Sequence, residues 1–268
     1  MDQPTMFEPY QAAPDIDVIP SYFPIPVLGI LPVNAFVLKA AEPVLVDTGL
    51  VPLSDQFMEK LSSLINPKDL RWLWLTHTDQ DHIGSLQPIL KAAPKLRVIT
   101  TFLGVGKMSL FQPLPMDRVY LLNPGQSLTV GDRILTAVKP PSYDAPETTG
   151  CYDPKAGVFF SADCFGALMS EPQQYAGDMA EDDLQRGMVK WATVDAPWLH
   201  NLDSKSFGKA LDRIRRIRAN TVLSAHLPVA HDMTERLLGL LATAPAAEPF
   251  AGPDQQALEA MLQGMRGK

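Results

Sequence analysis

Cysteine is scarce. The 268-residue chain has two, Cys151 and Cys164, and neither lies in a C-x-x-C pattern. They build no disulfide framework, a usage that suits a reducing cytoplasm. Clusters of basic residues are missing too. The one basic run, Arg213–Arg218, alternates with Ile and reads as a single helix face. With a net charge of −7, nucleic acid is a poor partner for this chain. Unbroken apolar stretches are absent as well: Pro24, Pro26 and Pro32 interrupt the run from Tyr22 to Leu38, so it does not span a membrane. Residues 1–15 are acidic and proline-rich, which excludes a signal peptide. These absences lead us to expect a soluble, cytoplasmic protein.

Hydrophobic residues make up 46% of the chain, enough for a globular core. Residues 1–15 are expected to form a loose arm, 16–242 one domain, and 243–268 an Ala/Pro linker with a short helix. Strand-like runs at Val33–Leu38, Val44–Val46, Arg71–Leu75, Leu96–Ile99, Ile134–Val138, Val158–Ser161 and Thr221–Ser224 are interspersed with helical patterns. Among those patterns are Pro52–Ile65, Glu181–Val194 and Ser206–Ala219. Strands and helices mixed through both halves point to a layered α/β domain.

The most informative stretch is Thr76–Ser85, THTDQDHIGS, directly after the apolar RWLWL run. His77, Asp79, Asp81 and His82 fall within six residues there, and imidazole and carboxylate are metal-binding groups. Gly84 allows close backbone approach. Three further segments end a strand-like run on a candidate ligand: SYDAPETT (142–149), SADCFG (161–166) and SAHLP (224–228). Strand ends are where the sites of layered α/β folds gather.

Asp47-Thr48-Gly49, THTDQDH, SADCFG and SAHLP, in that order, resemble the metallo-β-lactamase superfamily. The intervals agree, with 61 residues between His82 and Asp144, 18 between Asp144 and Asp163, and 62 between Asp163 and His226. The resemblance implies an αββα sandwich with a two-metal site at one edge of its sheets. Carried over, it gives His77, Asp79 and Asp144 to one ion, Asp81, His82 and His226 to the other, and Asp163 to both. Asp47 orients the loop. Tyr143 and His200 are candidate pocket residues, His200 being otherwise a helix-terminal or capping residue, and Tyr143 or Glu147 is the alternative to Asp144 as the group projecting into the site. Cys164 is expected to point away into packing. Trp191, Trp198 and Met188 form either a pocket wall or an ordinary apolar helix face.

Asp79 and Asp144 stand where the superfamily's common hydrolases carry histidine, which takes the ligand charge from −2 to −4. A hard, anionic shell favours iron or manganese over zinc and weakens the acidification of a bound water on which a zinc hydrolase depends. The carboxylate at 79 resembles the diiron branch of the superfamily, whose motif is H-x-E-x-D-H and which includes flavodiiron oxygen and NO reductases. The resemblance therefore implies a dinuclear, diiron protein that binds or activates O2. A zinc-type hydrolase of an ester, lactone or thioester remains open, as does an oxygen or redox sensor. The chain ends without the flavodoxin-like domain of flavodiiron proteins, and no glycine-rich nucleotide loop replaces it. Electrons are thus expected from a separate protein or from the substrate. The tail helix around Leu258, Met261 and Leu262 stays open between a lid and a homo-oligomer contact.

Overall fold

The computed structural model describes residues 3–266. Its N-terminal half builds a sheet of eight strands. β1 (Thr5–Met6) and β2 (Tyr10–Ala13) both lie along β3 (Ile16–Ile25), which forms a long antiparallel ladder with β4 (Gly29–Leu38). β5 (Val44–Val46) pairs antiparallel with β4. β6 (Trp72–Trp74), β7 (Arg97–Thr100) and β8 (Val119–Leu121) then add in parallel. Parallel neighbours need crossover connections, and α1 (Ser54–Leu64), α2 (Leu86–Ala92) and α3 (Phe102–Ser109) supply them.

This arrangement differs from the loose arm expected over residues 1–15, because Thr5–Met6 and Tyr10–Ala13 are strands on β3. Prolines at 20, 24 and 32 argue against a ladder when read in sequence, yet β3 and β4 accommodate all three. In an antiparallel strand the N–H and C=O of one residue point to the same side. The Pro20 carbonyl accepts from the Phe7 N–H, so the missing Pro20 donor faces β1 and no β3–β4 bond is lost.

The C-terminal half forms a sheet of six strands in the order β14-β13-β12-β11-β10-β9. β9 (Ser127–Thr129), β10 (Ile134–Val138), β11 (Gly150–Asp153) and β12 (Val158–Phe160) make an antiparallel meander. β13 (Thr221–Leu223) joins β12 in parallel after a long crossover through α4 (Glu181–Asp195) and α5 (Ser204–Ile217). β14 (Ala230–His231), α6 (Thr234–Leu241) and α7 (Gln255–Arg266) complete the described chain. The Met261 side chain, named above as part of the tail helix's apolar face, lies outside the described residues.

Three apolar cores define the layers. Phe36, Val46, Trp74 and Ile99 of the first sheet meet Leu135, Phe160 and Leu223 of the second. α1 and α2 cover the outer face of the first sheet through Phe57, Leu61, Leu86 and Ile89. α4, α5 and α6 cover the second through Leu184, Leu211 and Leu237. Alternation along β4 shows why the sheet sits between two cores: Phe36 and Leu38 face the other sheet, while Ala35 and Val37 face the helices. The result is the αββα sandwich that the motifs imply. Among the described residues no helix is long and apolar enough to cross a membrane.

Candidate metal centre

The sandwich brings four strand ends to one edge. Asp47 follows β5, the loop carrying His77–His82 follows β6, Asp163 follows β12, and His226 follows β13. Asp47, in left-handed backbone geometry (φ +58°), is the peg from which the β6 loop hangs. Its carboxylate accepts from the Thr76 N–H (2.8 Å), the Thr76 hydroxyl (2.7 Å) and His82 Nδ1 (2.9 Å). Gly84 then lies against residues 49–51, where a Cβ would come within 2.3 Å of the Gly49 carbonyl oxygen. Only glycine fits there, as the close approach read from the sequence requires.

Ring orientation follows from the partner of each Nδ1. His226 Nδ1 lies 2.7 Å from the Pro32 carbonyl, which can only accept, and His82 Nδ1 donates to Asp47. The Thr76 hydroxyl is committed to Asp47 as donor, so it accepts from His77 Nδ1 at 3.2 Å. In all three neutral rings the free lone pair is therefore on Nε2, the arrangement typical of metal-ligating histidines. The three Nε2 atoms converge on Asp163. His77 Nε2 is 3.2 Å from its Oδ2, whereas His82 and His226 Nε2 are 3.0 and 3.2 Å from its Oδ1. Asp81 Oδ2 completes the second side, 3.6 Å from His82 and 3.4 Å from His226. On the first side, donor atoms of His77, Asp79 and Asp144 lie within 4.8 Å of one another.

The donor set fits two cations. Asp163 presents one oxygen to each side. His82 Nε2 and Asp163 Oδ1 are buried and 3.0 Å apart, yet neither has an aligned hydrogen-bond partner. Unsatisfied buried atoms of this kind are costly, and a shared cation would satisfy both. The segment carrying Asp163 is itself strained, with Ala162 and Phe165 at φ +53° and +70°.

Crowding of charge shapes the titration of the metal-free cluster. Burial disfavours the charged form of Asp163, but the adjacent His77, His82 and His226 outweigh it and hold the carboxyl well below its usual range. Burial likewise opposes charging of His77, and the Asp163 carboxylate overcomes it to lift the imidazole to about 9. For Asp144, burial and the repulsion of Asp163 and Asp79 raise the carboxyl to about 6. A cation taking His77 Nε2 must displace the proton held there below about pH 9. Apparent affinity for a divalent ion is thus expected to weaken as pH falls below about 9, by roughly tenfold per unit for each proton displaced. Chelator competition across pH, with proton release followed by an indicator dye, measures this; an affinity flat with pH would contradict it.

Asp79 is held on its outer side. Lys107 Nζ of α3 is 3.2 Å from Asp79 Oδ1 and 2.5 Å from Glu147 Oε1, and Thr78 also donates to Glu147. Glu147 is thus buried in an ion pair, and Asp144 is the group of its loop that stands among the donors. Cys164 is buried in the core over α4, as expected, and accepts from the Ser142 hydroxyl. Tyr143 is stacked between Lys139 and Trp198. His200, open between a pocket role and a helix-terminal one, lies in the turn at 197–201. Its Nδ1 is 3.3 Å from the Pro245 carbonyl and it is not grouped with the donors, because the 197–201 turn packs on the segment at 244–246. Two neighbours come from α4: Trp191, whose ring is 4.9 Å from that of His226, and Asp195, grouped with Asp144 and Asp163. Asp195 has no motif to announce it; its spacing of four from Trp191 was the available clue.

Residues 31–226 match the model of a family described as ODP family beta lactamase. A putative diflavin flavoprotein A 1 from Nostoc sp. is 25% identical over 209 residues, 77% of this chain and 35% of the relative. A nitric oxide reductase from Moorella thermoacetica is 23% identical over 72% of this chain and 48% of its own length. This chain spans about a quarter to a third of the length of several such curated relatives. Among solved structures, a flavo di-iron protein from Thermotoga maritima aligns with TM-score 0.77 at 20% identity, covering 94% of this chain and 64% of that one. The rubredoxin oxygen:oxidoreductase of Desulfovibrio gigas aligns with TM-score 0.77 at 16% identity, over 91% and 63% respectively. At these identities the structural likeness carries the fold.

Proposed function

This chain belongs to the ODP family of β-lactamase-like proteins, and from that premise we propose that it is a diiron oxidoreductase acting on O2 or NO. The observation that carries the reading is the donor set: three histidines and four aspartates, with Asp163 facing both sides of the site. His77, Asp79 and Asp144 hold one ion; Asp81, His82 and His226 hold the other; Asp163 joins them. Iron held by these residues would supply one-electron redox chemistry and affinity for a diatomic ligand. The named relatives, a nitric oxide reductase and a rubredoxin oxygen:oxidoreductase, support the same class of chemistry. A zinc hydrolase is the weaker account, since the anionic shell dulls the Lewis acidity it would need.

The chain's own residues divide the work. The three imidazoles and Asp163 are buried and fix the positions of both ions. Asp79, Asp81 and Asp144 are more open, their side chains 43%, 28% and 28% exposed, so a small molecule enters from the carboxylate face. Trp191 closes the opposite flank against His226 and keeps water from that ring.

Protein reconstituted anaerobically with ferrous iron, in the presence of competing zinc, tests the reading. The expected result is about two iron ions per chain and, with a chemical reductant, consumption of O2 or NO above a free-iron control. Zinc at full occupancy under these conditions, with no consumption of either gas, would overturn it.

A further inference from the structure

Asp195 closes the last turn of α4, on the same helical face as Gly187 and Trp191. That stripe is pinned to the site. A Cβ at Gly187 would meet the Leu168 carbonyl oxygen at 2.3 Å, and one at Gly166 would meet the Trp191 ring at 2.5 Å. α4 therefore lies close along the segment that carries Asp163, and it delivers the Asp195 carboxylate to Asp144 and Asp163. One oxygen of each of the three falls within 4.8 Å of the others. No hydrogen bond or ion pair to the Asp195 carboxylate is formed among the described residues, and it faces the negative end of its own helix dipole. A half-buried carboxylate so placed, beside two others, keeps its charge only where a cation offsets the repulsion. Asp163 belongs both to this group and to the donor set; it is 4% exposed, and its Oδ1, on the His82 and His226 side, has no hydrogen-bond partner, which supports the centre as a whole being built for cations.

We propose that Asp195 is a further ligand of the ion held by His77, Asp79 and Asp144. The inference rests on the reading of the site as a metal centre and adds a residue that none of its motifs contains. With Asp195 included, the first side is lined by one imidazole and four carboxylates, in two groups that share Asp144 (His77, Asp79 and Asp144; Asp144, Asp163 and Asp195), whereas the second has His82, His226, Asp81 and the shared Asp163. The two positions are chemically unequal. The first selects the harder ion, such as manganese or ferric iron, and the second tolerates a softer one.

Asp195→Asn keeps the shape and removes the charge; Asp195→Glu keeps the charge. Each full-length protein is titrated anaerobically with Fe(II), and separately with Mn(II), against a competing chelator, and the metal-free forms are melted. For Asp195→Asn the expected result is about a tenfold or greater loss of affinity at one of two steps, with the other within about threefold of the parent. Its metal-free melting temperature is expected at or above that of the parent, because a like-charge contact is gone. Asp195→Glu is expected to recover most of the lost affinity. If the parent binds two ions and Asp195→Asn binds both equally well, this inference fails alone. If affinity falls at both steps and the metal-free variant melts lower, Asp195 supports the fold and is no ligand. A parent that binds no ion overturns the metal reading and this inference together.

Discussion

Asp163→Ala is expected to retain at most one metal ion and to lose the thermal stabilisation that metal confers on the parent. The carboxylate lies between all three imidazoles, with Oδ2 towards His77 and Oδ1 towards His82 and His226. Without it, two cations at short range repel each other across a gap with no anion to compensate. Ligands on four separate segments meet only at the ions, so lost binding is lost stability. At an ion concentration about a hundredfold above its dissociation constant, that linkage is worth ~2.7 kcal/mol per ion, or roughly 5–10 °C in a chain of this size. His77→Ala makes a useful contrast, since it removes one donor from one ion and leaves Asp81, His82, His226 and Asp163 in place. Metal stoichiometry and melting temperature, with and without chelator, distinguish the two variants. An Asp163→Ala protein that binds two ions and melts like the parent would show that Asp163 does not join them.

Gly84→Ala is expected to be nearly as damaging, although Gly84 touches no ion. The added methyl would lie 2.3 Å from the Gly49 carbonyl oxygen and the Leu50 carbonyl carbon, and 2.4 Å from the Val51 nitrogen. All three are backbone atoms and cannot rotate aside. The β6 loop must then lift from residues 47–51, which strains the Gly84 N–H bond to Gly49 and both bonds from Thr48 to the His82 carbonyl. His82 leaves Asp47 with it. Overpacking against a fixed wall costs about 1–3 kcal/mol, and the loss of these bonds adds to that. Melting should fall by roughly 5 °C or more, and metal content with it. A variant melting within about 2 °C of the parent, with full metal content, would refute the account of the peg and loop.

Much of the site was legible because its chemistry is local. His77, Asp79, Asp81 and His82 stand in one loop, and Asp144, Asp163 and His226 each follow a short apolar run that reads as a strand. Asp195 was not legible. On a helix with buried Leu184, Met188 and Ala192, a carboxylate at the C-terminal turn reads as a solvated end, and only the packing of α4 turns it inward. Trp191, open between a pocket wall and a helix face, proves to lie against His226. The Lys107–Glu147 pair joins elements far apart in sequence, so no spacing announces it. Towards the N-terminus only Val33–Leu38 reads as a strand, although β3 and β4 run through Pro20, Pro24 and Pro32. Prolines lower strand propensity one residue at a time, whereas an antiparallel ladder needs N–H donors towards a given neighbour only at alternate positions. α6 escaped notice for a simpler reason: its TERLLGLL run is short and carries no side-chain cap at its start.

The crossover between β12 and β13 has a kinetic consequence. Asp163 and His226 follow adjacent parallel strands, but α4 and α5 lie between them in the chain. The search that closes so large a loop must be completed before the two side chains can share an ion. A cation then finds little to hold while the chain is crossing its folding barrier, and much once the crossing is done. Its free energy accrues to the native basin, so metal leaves the rate of refolding nearly unchanged and lengthens the lifetime of the folded molecule.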